Sequence, residues 1–120
     1  MARKDELGRQ GEECAAAFLV AAGYTVIARN WRCAQGEIDL VVEREGEGEV
    51  VFVEVKTRSG TAFGHPFEAI TAAKLARLRR LAALWCGESQ PRPGRIRIDA
   101  IAVIAAPGAV PLVEHLAGVF

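Results

Sequence analysis

The chain has 120 residues, 51% of them hydrophobic, and its fifteen Lys and Arg balance fifteen Asp and Glu to a formal net charge of zero. One domain spanning residues 1–120 and burying ~65% of its unfolded surface is the expectation, and the composition excludes disorder, collagen-like repeats and a disulfide scaffold. Three widely spaced cysteines, Cys14, Cys33 and Cys86, form no CxxC pair, so a reducing cytoplasm is the compartment expected.

Met1 to Glu6 is mixed in charge with no apolar leader core, and no stretch approaches the ~18 apolar residues of a membrane span. Residues 5–22 carry Leu7, Gly11, Cys14, Ala15, Phe18 and Ala22 at helical spacing, which predicts a helix closed by Gly23. On that helix Glu13 falls on the solvent side, in reach of Arg9, whereas Glu12 falls at the margin of the apolar stripe beside Leu19. Tyr24 to Trp31 reads as a strand, residues 33–36 as a turn, and Glu37 to Glu43 as a second strand. Gly46-Glu47-Gly48 makes a hairpin into a third strand, Val50 to Thr57, and residues 59–66 form a loop. Thr71 is a good N-cap for a helix to about Cys86, closed by Gly87. Its apolar stripe is Leu75, Leu78, Leu81, Ala82 and Trp85. Residues 90–94 are a connector, Arg95 to Ala105 is a fourth strand, and Val110 to Leu116 follows the Pro107-Gly108 turn as a fifth. The order αβββαββ predicts an α/β fold, a central mixed sheet of four to five strands with helices on both faces.

Neutral overall, the chain is polarised along its length. Between Glu37 and Glu54 seven acids (Glu37, Asp39, Glu43, Glu45, Glu47, Glu49, Glu54) meet one base, Arg44. From Lys74 to Arg97 seven bases (Lys74, Arg77, Arg79, Arg80, Arg92, Arg95, Arg97) meet Glu88 alone. A basic block of that size suits a phosphate-binding face, and equally a solvated helix face.

The third strand alternates so that Glu54 and Lys56 share a face with Phe52, while Val51, Val53 and Val55 line the other. Charges there are semi-buried and must be paired or bound to a cation. Asp39, set in Ile38-Asp39-Leu40-Val41-Val42, repeats the anomaly. An antiparallel hairpin brings Asp39 and Glu54 side by side, and two hard carboxylates at that spacing suit Mg²⁺ or Mn²⁺ rather than zinc. A core ion pair between Glu54 and Lys56 is the structural alternative. Lys74 projects from the first turn of its helix toward the polar end of the sheet, either as a functional cation or as a snorkelling lysine. Trp31 either stacks on a base or covers an outer strand, the second reading being preferred. Asp99 reads as the structural partner of Arg97, His115 as having no special role, and Cys14 as core packing.

The runs Gly8-Arg9-Gln10-Gly11-Glu12-Glu13, Ala28-Arg29-Asn30-Trp31-Arg32, Gly36-Glu37-Ile38-Asp39-Leu40 and Val51 to Arg58, with Phe63-Gly64 and Lys74, resemble the YraN-like bacterial proteins. These are small, mostly uncharacterised proteins, predicted nucleases related to archaeal Holliday junction resolvases. The resemblance covers residues 5–116 and implies a restriction-endonuclease-like fold with a PD-(D/E)xK site. Asp39 takes the aspartate position, Glu54 and Lys56 the ExK pair, and Glu12 the helix carboxylate; Ile38 stands where the pattern's name has proline. The resemblance implies Mg²⁺ or Mn²⁺ held by Asp39, Glu54, the Val55 carbonyl and Glu12, with Lys56 orienting or deprotonating a water. Arg32, Arg58, the loop from Phe63 to His65, Lys74, Arg77, Arg79 and Arg80 are then expected to contact nucleic acid. The expected function is DNA phosphodiester hydrolysis on branched or repair intermediates, by a homodimer; the alternative is a non-catalytic nucleic-acid-binding adaptor that retains the fold.

Overall fold

A computed structural model describes residues 3–44, 46–62, 64–89 and 92–119. Glu45, Phe63 and Gln90, to which the sequence reading gives places in the acidic stretch, the binding loop and the connector, lie outside the described residues. Helix α1 (Arg3–Ala21) is followed by strands β1 (Tyr24–Cys33), β2 (Gly36–Arg44) and β3 (Glu49–Arg58), helix α2 (Ala72–Glu88), and strands β4 (Arg95–Ile104) and β5 (Leu112–Leu116). The five strands form one sheet in chain order. Neighbours pair antiparallel except β3 and β4, which run parallel because α2 crosses over between them. The fold is thus an α/β fold with a five-stranded mixed sheet.

Each face of the sheet buries one helix. Val51, Val53 and Val55 pack with Leu40, Val42, Ile101 and Val103 against Ala15, Ala16 and Leu19 of α1. Val50 and Phe52 pack with Val41 and Ile98 against Leu78, Leu81 and Ala82 of α2. Apolar residues on both faces of β3 are what a central strand needs, and each fully buried aliphatic side chain contributes roughly 1.5–3 kcal/mol. Trp31 on the edge strand β1 is half-buried against the α2 cluster, as a cover.

The buried stripe of α1 differs from the expected one. Gly11, Ala15, Ala16 and Leu19 face the sheet, whereas Phe18 and Ala22 are exposed. Phe18 lies over the sheet's far edge, its ring 6.0 Å from that of His115. Small residues win the central positions because α1 comes very close: a Cβ built on Gly11 would collide with the Thr57 side chain. Gly23 does end the helix, at φ +100°, its N–H bonding the Val20 carbonyl.

Helix α2 starts as expected, with the Thr71 hydroxyl accepting the Lys74 N–H at 3.2 Å. It does not stop at Gly87, which remains helical; Ser89 is the C-cap. Between the predicted loop, residues 59–66, and this helix lies a 3₁₀ turn at Pro66–Ala69. Strand β5 begins at Leu112 rather than Val110. All three cysteines are free thiols. No helix among the described residues is long and apolar enough to cross a membrane.

Candidate active site

The pairing of β2 with β3 runs from Glu43 opposite Val50 to Leu40 opposite Val53 and ends there. Asp39 and Glu54 are the next pair in that register, at the point where the ladder has opened. The Asp39 carboxylate fills the gap: its Oδ2 accepts the Val55 N–H at 2.8 Å in place of a β2 carbonyl. Because the N–H and C=O of one residue leave a strand by the same edge, the Val55 carbonyl points to this opening as well.

Strand β2 also changes face here. Ile38 packs with the α2 cluster and Leu40, two residues on, with the α1 cluster. Asp39 therefore sits at a twist in the strand. Across from it, between the pairs Arg29–Leu40 and Trp31–Ile38, lies Asn30, the one non-glycine residue with positive φ (+50°) among the described residues. Its side-chain amide favours the ionised form of Glu12. Close approach of α1 at Gly11 brings Glu12 to the same opening.

Four carboxylates thus share one field. Burial, then the charges of Glu54, Glu12 and Glu37, push the Asp39 pKa up to about 7 against the Val55 hydrogen bond. Glu54 is raised by burial, an effect that Lys56, Arg77 and Lys74 oppose. Glu12 is raised by burial, with Asn30 opposing and Glu37 and Glu54 adding to it. Lys56 is lowered by burial and by Lys74 and Arg58, which makes it a readier proton acceptor than a surface lysine. Lys56 and Glu54 thus belong to a larger cluster, and among the described residues no salt bridge joins them as an isolated pair.

Among the described residues no three His, Cys, Asp or Glu side chains are arranged to enclose a metal ion by themselves. The donor set nevertheless matches a hard divalent cation that keeps much of its water: two half-buried carboxylates, a strand carbonyl and a third carboxylate at the rim.

The remaining sequence candidates are scattered. Lys74 and Arg77 lean toward Glu54 from α2. Arg58 is half-buried beside Lys56 and donates to the Thr57 carbonyl. Arg32 is exposed, 3.5 Å from Glu37. At 100° per residue Arg77 and Arg80 share a flank of α2, and Arg79 lies on the opposite one, so the three do not form a single face. His65 has both ring nitrogens engaged: Nδ1 accepts the Phe67 N–H at 3.1 Å, and Nε2 lies 2.7 Å from Glu114. With Nδ1 accepting, Nε2 carries the proton and donates, so His65 caps the 3₁₀ turn and ties it to β5. Arg95 bonds the Glu47 carbonyl and Arg97 belongs to a buried network, so the basic stretch does not act as one surface.

That network surrounds Asp99, which is fully buried. Arg97 donates to both its oxygens at 2.8 Å, His115 lies at 2.6 Å, and the Gly118 N–H at 2.9 Å. Arg97 also donates to the Tyr24 hydroxyl at 2.7 Å. Burial works against the Asp99 charge, yet Arg97, Gly118 and His115 hold its carboxyl below the usual range. The structural reading of Asp99 stands; His115, expected to have no special role, is part of its support. Glu13 is exposed and pairs with Arg29 at 3.1 Å, not with Arg9.

Sequence reasoning left Glu37 and Asn30 out of the site. Glu37 was readable, two residues before Asp39 in an acidic run; Asn30 carried no signal, since a left-handed residue inside a strand leaves no pattern. A groove of about 1150 Å³ between α1 and residues 105–111 contains none of Asp39, Glu54 or Lys56, and the cluster lies apart from it.

Residues 11–103 match the model of the uncharacterised protein family UPF0102. The chain is 56% identical over 119 residues to a UPF0102 protein of Leifsonia xyli subsp. xyli, covering 99% of each. It is 53% identical over 114 residues to one of Clavibacter michiganensis subsp. michiganensis, covering 95% of each. A UPF0102 protein of Frankia alni is 50% identical over 120 residues, all of this chain and 98% of that one. With the match spanning the second half of helix α1, the opening between β2 and β3, and most of β4, this chain belongs to the family UPF0102.

Proposed function

We propose that this protein is a Mg²⁺- or Mn²⁺-dependent endonuclease with a restriction-endonuclease-like fold, hydrolysing phosphodiester bonds of DNA. The observation that carries the reading is the Asp39–Glu54 pair, half-buried where β2 and β3 part, with Lys56 on the strand beside it. Carboxylates massed against their own repulsion mark a site rather than a structural pairing.

Asp39, Glu54 and the Val55 carbonyl would hold the cation, with Glu12 at the rim reaching it through water. The bound cation supplies Lewis acidity to a phosphodiester oxygen and to the attacking water. The protein's own groups do the rest. Asp39 is fixed by the Val55 N–H through Oδ2, which would leave Oδ1 for the cation. Lys56, its proton held less tightly than usual, orients the water, takes its proton, and offsets charge building on the phosphoryl oxygens. Lys74 and Arg77 attract the backbone by phosphate contacts that carry no sequence readout.

The test is incubation of purified protein with linear, single-stranded and four-way-junction DNA in Mg²⁺ or Mn²⁺, beside Asp39→Ala and Lys56→Ala. Loss of at least a hundredfold in both variants is expected. Cleavage undiminished in either variant would defeat the proposal. Tight binding with a steep salt slope but no product in any metal would turn it toward the non-catalytic adaptor.

A further inference from the structure

Beside the carboxylate cluster a second cleft of about 520 Å³ lies between the β1–β2 turn and the flank of α2, lined by Gln35, Arg77, Arg80, Leu81, Ala83 and Leu84. The turn is pressed onto the helix: Gly36 has φ +143°, and a Cβ there would lie 3.4 Å from Leu81 and 4.0 Å from the Arg77 stem. Arg77 lines this cleft and its charge also favours the ionised form of Glu54, without an ion pair between the two among the described residues. No salt bridge among the described residues engages Arg77 or Arg80.

The polar side chains of the cleft are rich in donors: two guanidiniums and one amide, with no carboxylate among the lining residues. Cys33 Sγ donates to Gln35 Oε1 at 3.3 Å, which turns that oxygen toward the turn and makes the amide NH₂ the side chain's free donor. Two guanidiniums and an amide NH₂ stand around an apolar floor, and Leu84 on that floor is 41% exposed. Donors on the wall select an anion with acceptors to spare. An apolar floor selects a flat, weakly solvated body attached to it, and the volume lies within the range for a small ligand.

We infer that this cleft receives one nucleotide of a nucleic-acid strand, adjacent to the phosphate held at Asp39 and Glu54. The base lies on Leu84 and Ala83, both exposed, the Gln35 amide donates to an acceptor on its edge, and Arg77 and Arg80 hold the flanking phosphate. The placement of the neighbouring phosphate rests on the nuclease reading above; occupancy of the cleft does not, because it needs neither metal nor cleavage.

The experiment is therefore run in EDTA. Thymidine 5′-monophosphate, thymidine and inorganic phosphate are titrated separately into labelled protein, following the Leu84 methyls, the Gln35 side-chain amide and the Arg80 Nε–H by NMR. The monophosphate is expected to move all three, thymidine and phosphate each to move them weakly. In parallel, Arg80→Ala should weaken binding of a fluorescent oligothymidylate about fivefold to tenfold and flatten its salt dependence by about one charge, and Gln35→Ala should weaken it about threefold. Leu84 and Gln35 signals unmoved by the monophosphate, equal shifts from phosphate alone, or unchanged binding in both variants would each overturn the inference. Absence of cleavage in Mg²⁺, with these shifts present, would count against the nuclease reading alone.

Discussion

The carboxylate of Asp99 receives four hydrogen bonds, two from Arg97 and one each from His115 and the Gly118 N–H; that of Asp39 receives one, from Val55. Both acids sit in the same sheet, on strands either side of β3. Around Asp99 opposite charge and donors converge, and its carboxyl lies below the usual range. Around Asp39 like charges converge, and its pKa rises to about 7. One cluster is complete without a ligand and ties β4, β5 and the residues after it together. The other is held together by the fold against its own electrostatics, the arrangement expected where an external cation or a reaction supplies what is missing.

The sharpest way to break this comparison is to neutralise each acid in turn. Asp99→Asn removes the buried charge between Arg97 and His115 and puts an NH₂ where a carboxylate oxygen accepts hydrogen bonds, and is expected to cost about 3–5 kcal/mol in urea unfolding. Asp39→Asn should instead leave stability unchanged or raise it by about 0.5–2 kcal/mol, while removing the proposed hydrolysis. Equal losses at the two positions would mean that Asp39 is structural after all.

Next in size is the approach of α1, which carries Glu12 into the cluster. Gly11→Ala puts a Cβ into the Thr57 side chain and is expected to cost about 1–3 kcal/mol by the same measurement. Gly8→Ala meets nothing within 4 Å and should stabilise the helix by up to about 1 kcal/mol. If both substitutions behaved alike, the close packing that positions Glu12 would be wrong.

The pH dependence of the two acids runs in opposite directions. Asp99, with its folded pKa lowered from 3.8, adds stability that is full above that value and lost as the pH falls through the folded pKa. Asp39, raised from 3.8 to about 7, binds its proton more tightly when folded, so its contribution is full below 3.8 and lost as the pH rises to about 7. Above that pH the charged cluster is a burden that Mg²⁺ should relieve. Thermal unfolding with and without MgCl₂ should accordingly show a stabilisation of about 1–3 kcal/mol at pH 8 that shrinks at pH 5 and is absent in Asp39→Asn. A Mg²⁺ effect independent of pH would separate the cation from these carboxylates.

How far each region could be read from the chain depended on the range of its contacts. The strands were legible through alternation, and the meeting of Asp39 with Glu54 through hairpin arithmetic alone. The face of α1 was read partly right, with Gly11 and Ala15 on it, but it is turned toward Ala16 and Leu19 and away from Phe18 and Ala22, because Gly11 is the point of close approach to Thr57 and sets the rotation of the helix. The division of Arg79 from Arg77 and Arg80 was available from helical geometry. The support of Asp99 by His115 was not, since it joins β4 to β5 side by side and nothing local in residues 110–116 marks it. His65 looked like a loop histidine open to phosphate, because its partner Glu114 lies forty-nine residues away.

The smallest expected effect concerns Asn30, which touches the unsatisfied cluster from the neighbouring strand. Its φ of +50° is one that glycine adopts without strain. Asn30→Gly should therefore change stability by no more than about 0.5 kcal/mol, with the gain in backbone ease offset by the freer unfolded chain. Asn30→Ala keeps a Cβ in the left-handed region and should cost about 1–2 kcal/mol. Both substitutions remove the amide that lowers the Glu12 pKa, so the Glu12 carboxyl, already raised, should titrate at still higher pH in each, as followed by carboxyl ¹³C NMR. A Glu12 titration unchanged in the glycine variant would show that Asn30 only turns the strand. A shift shared by both variants, despite their opposite effects on the backbone, would make it the residue that holds Glu12 toward Asp39 and Glu54.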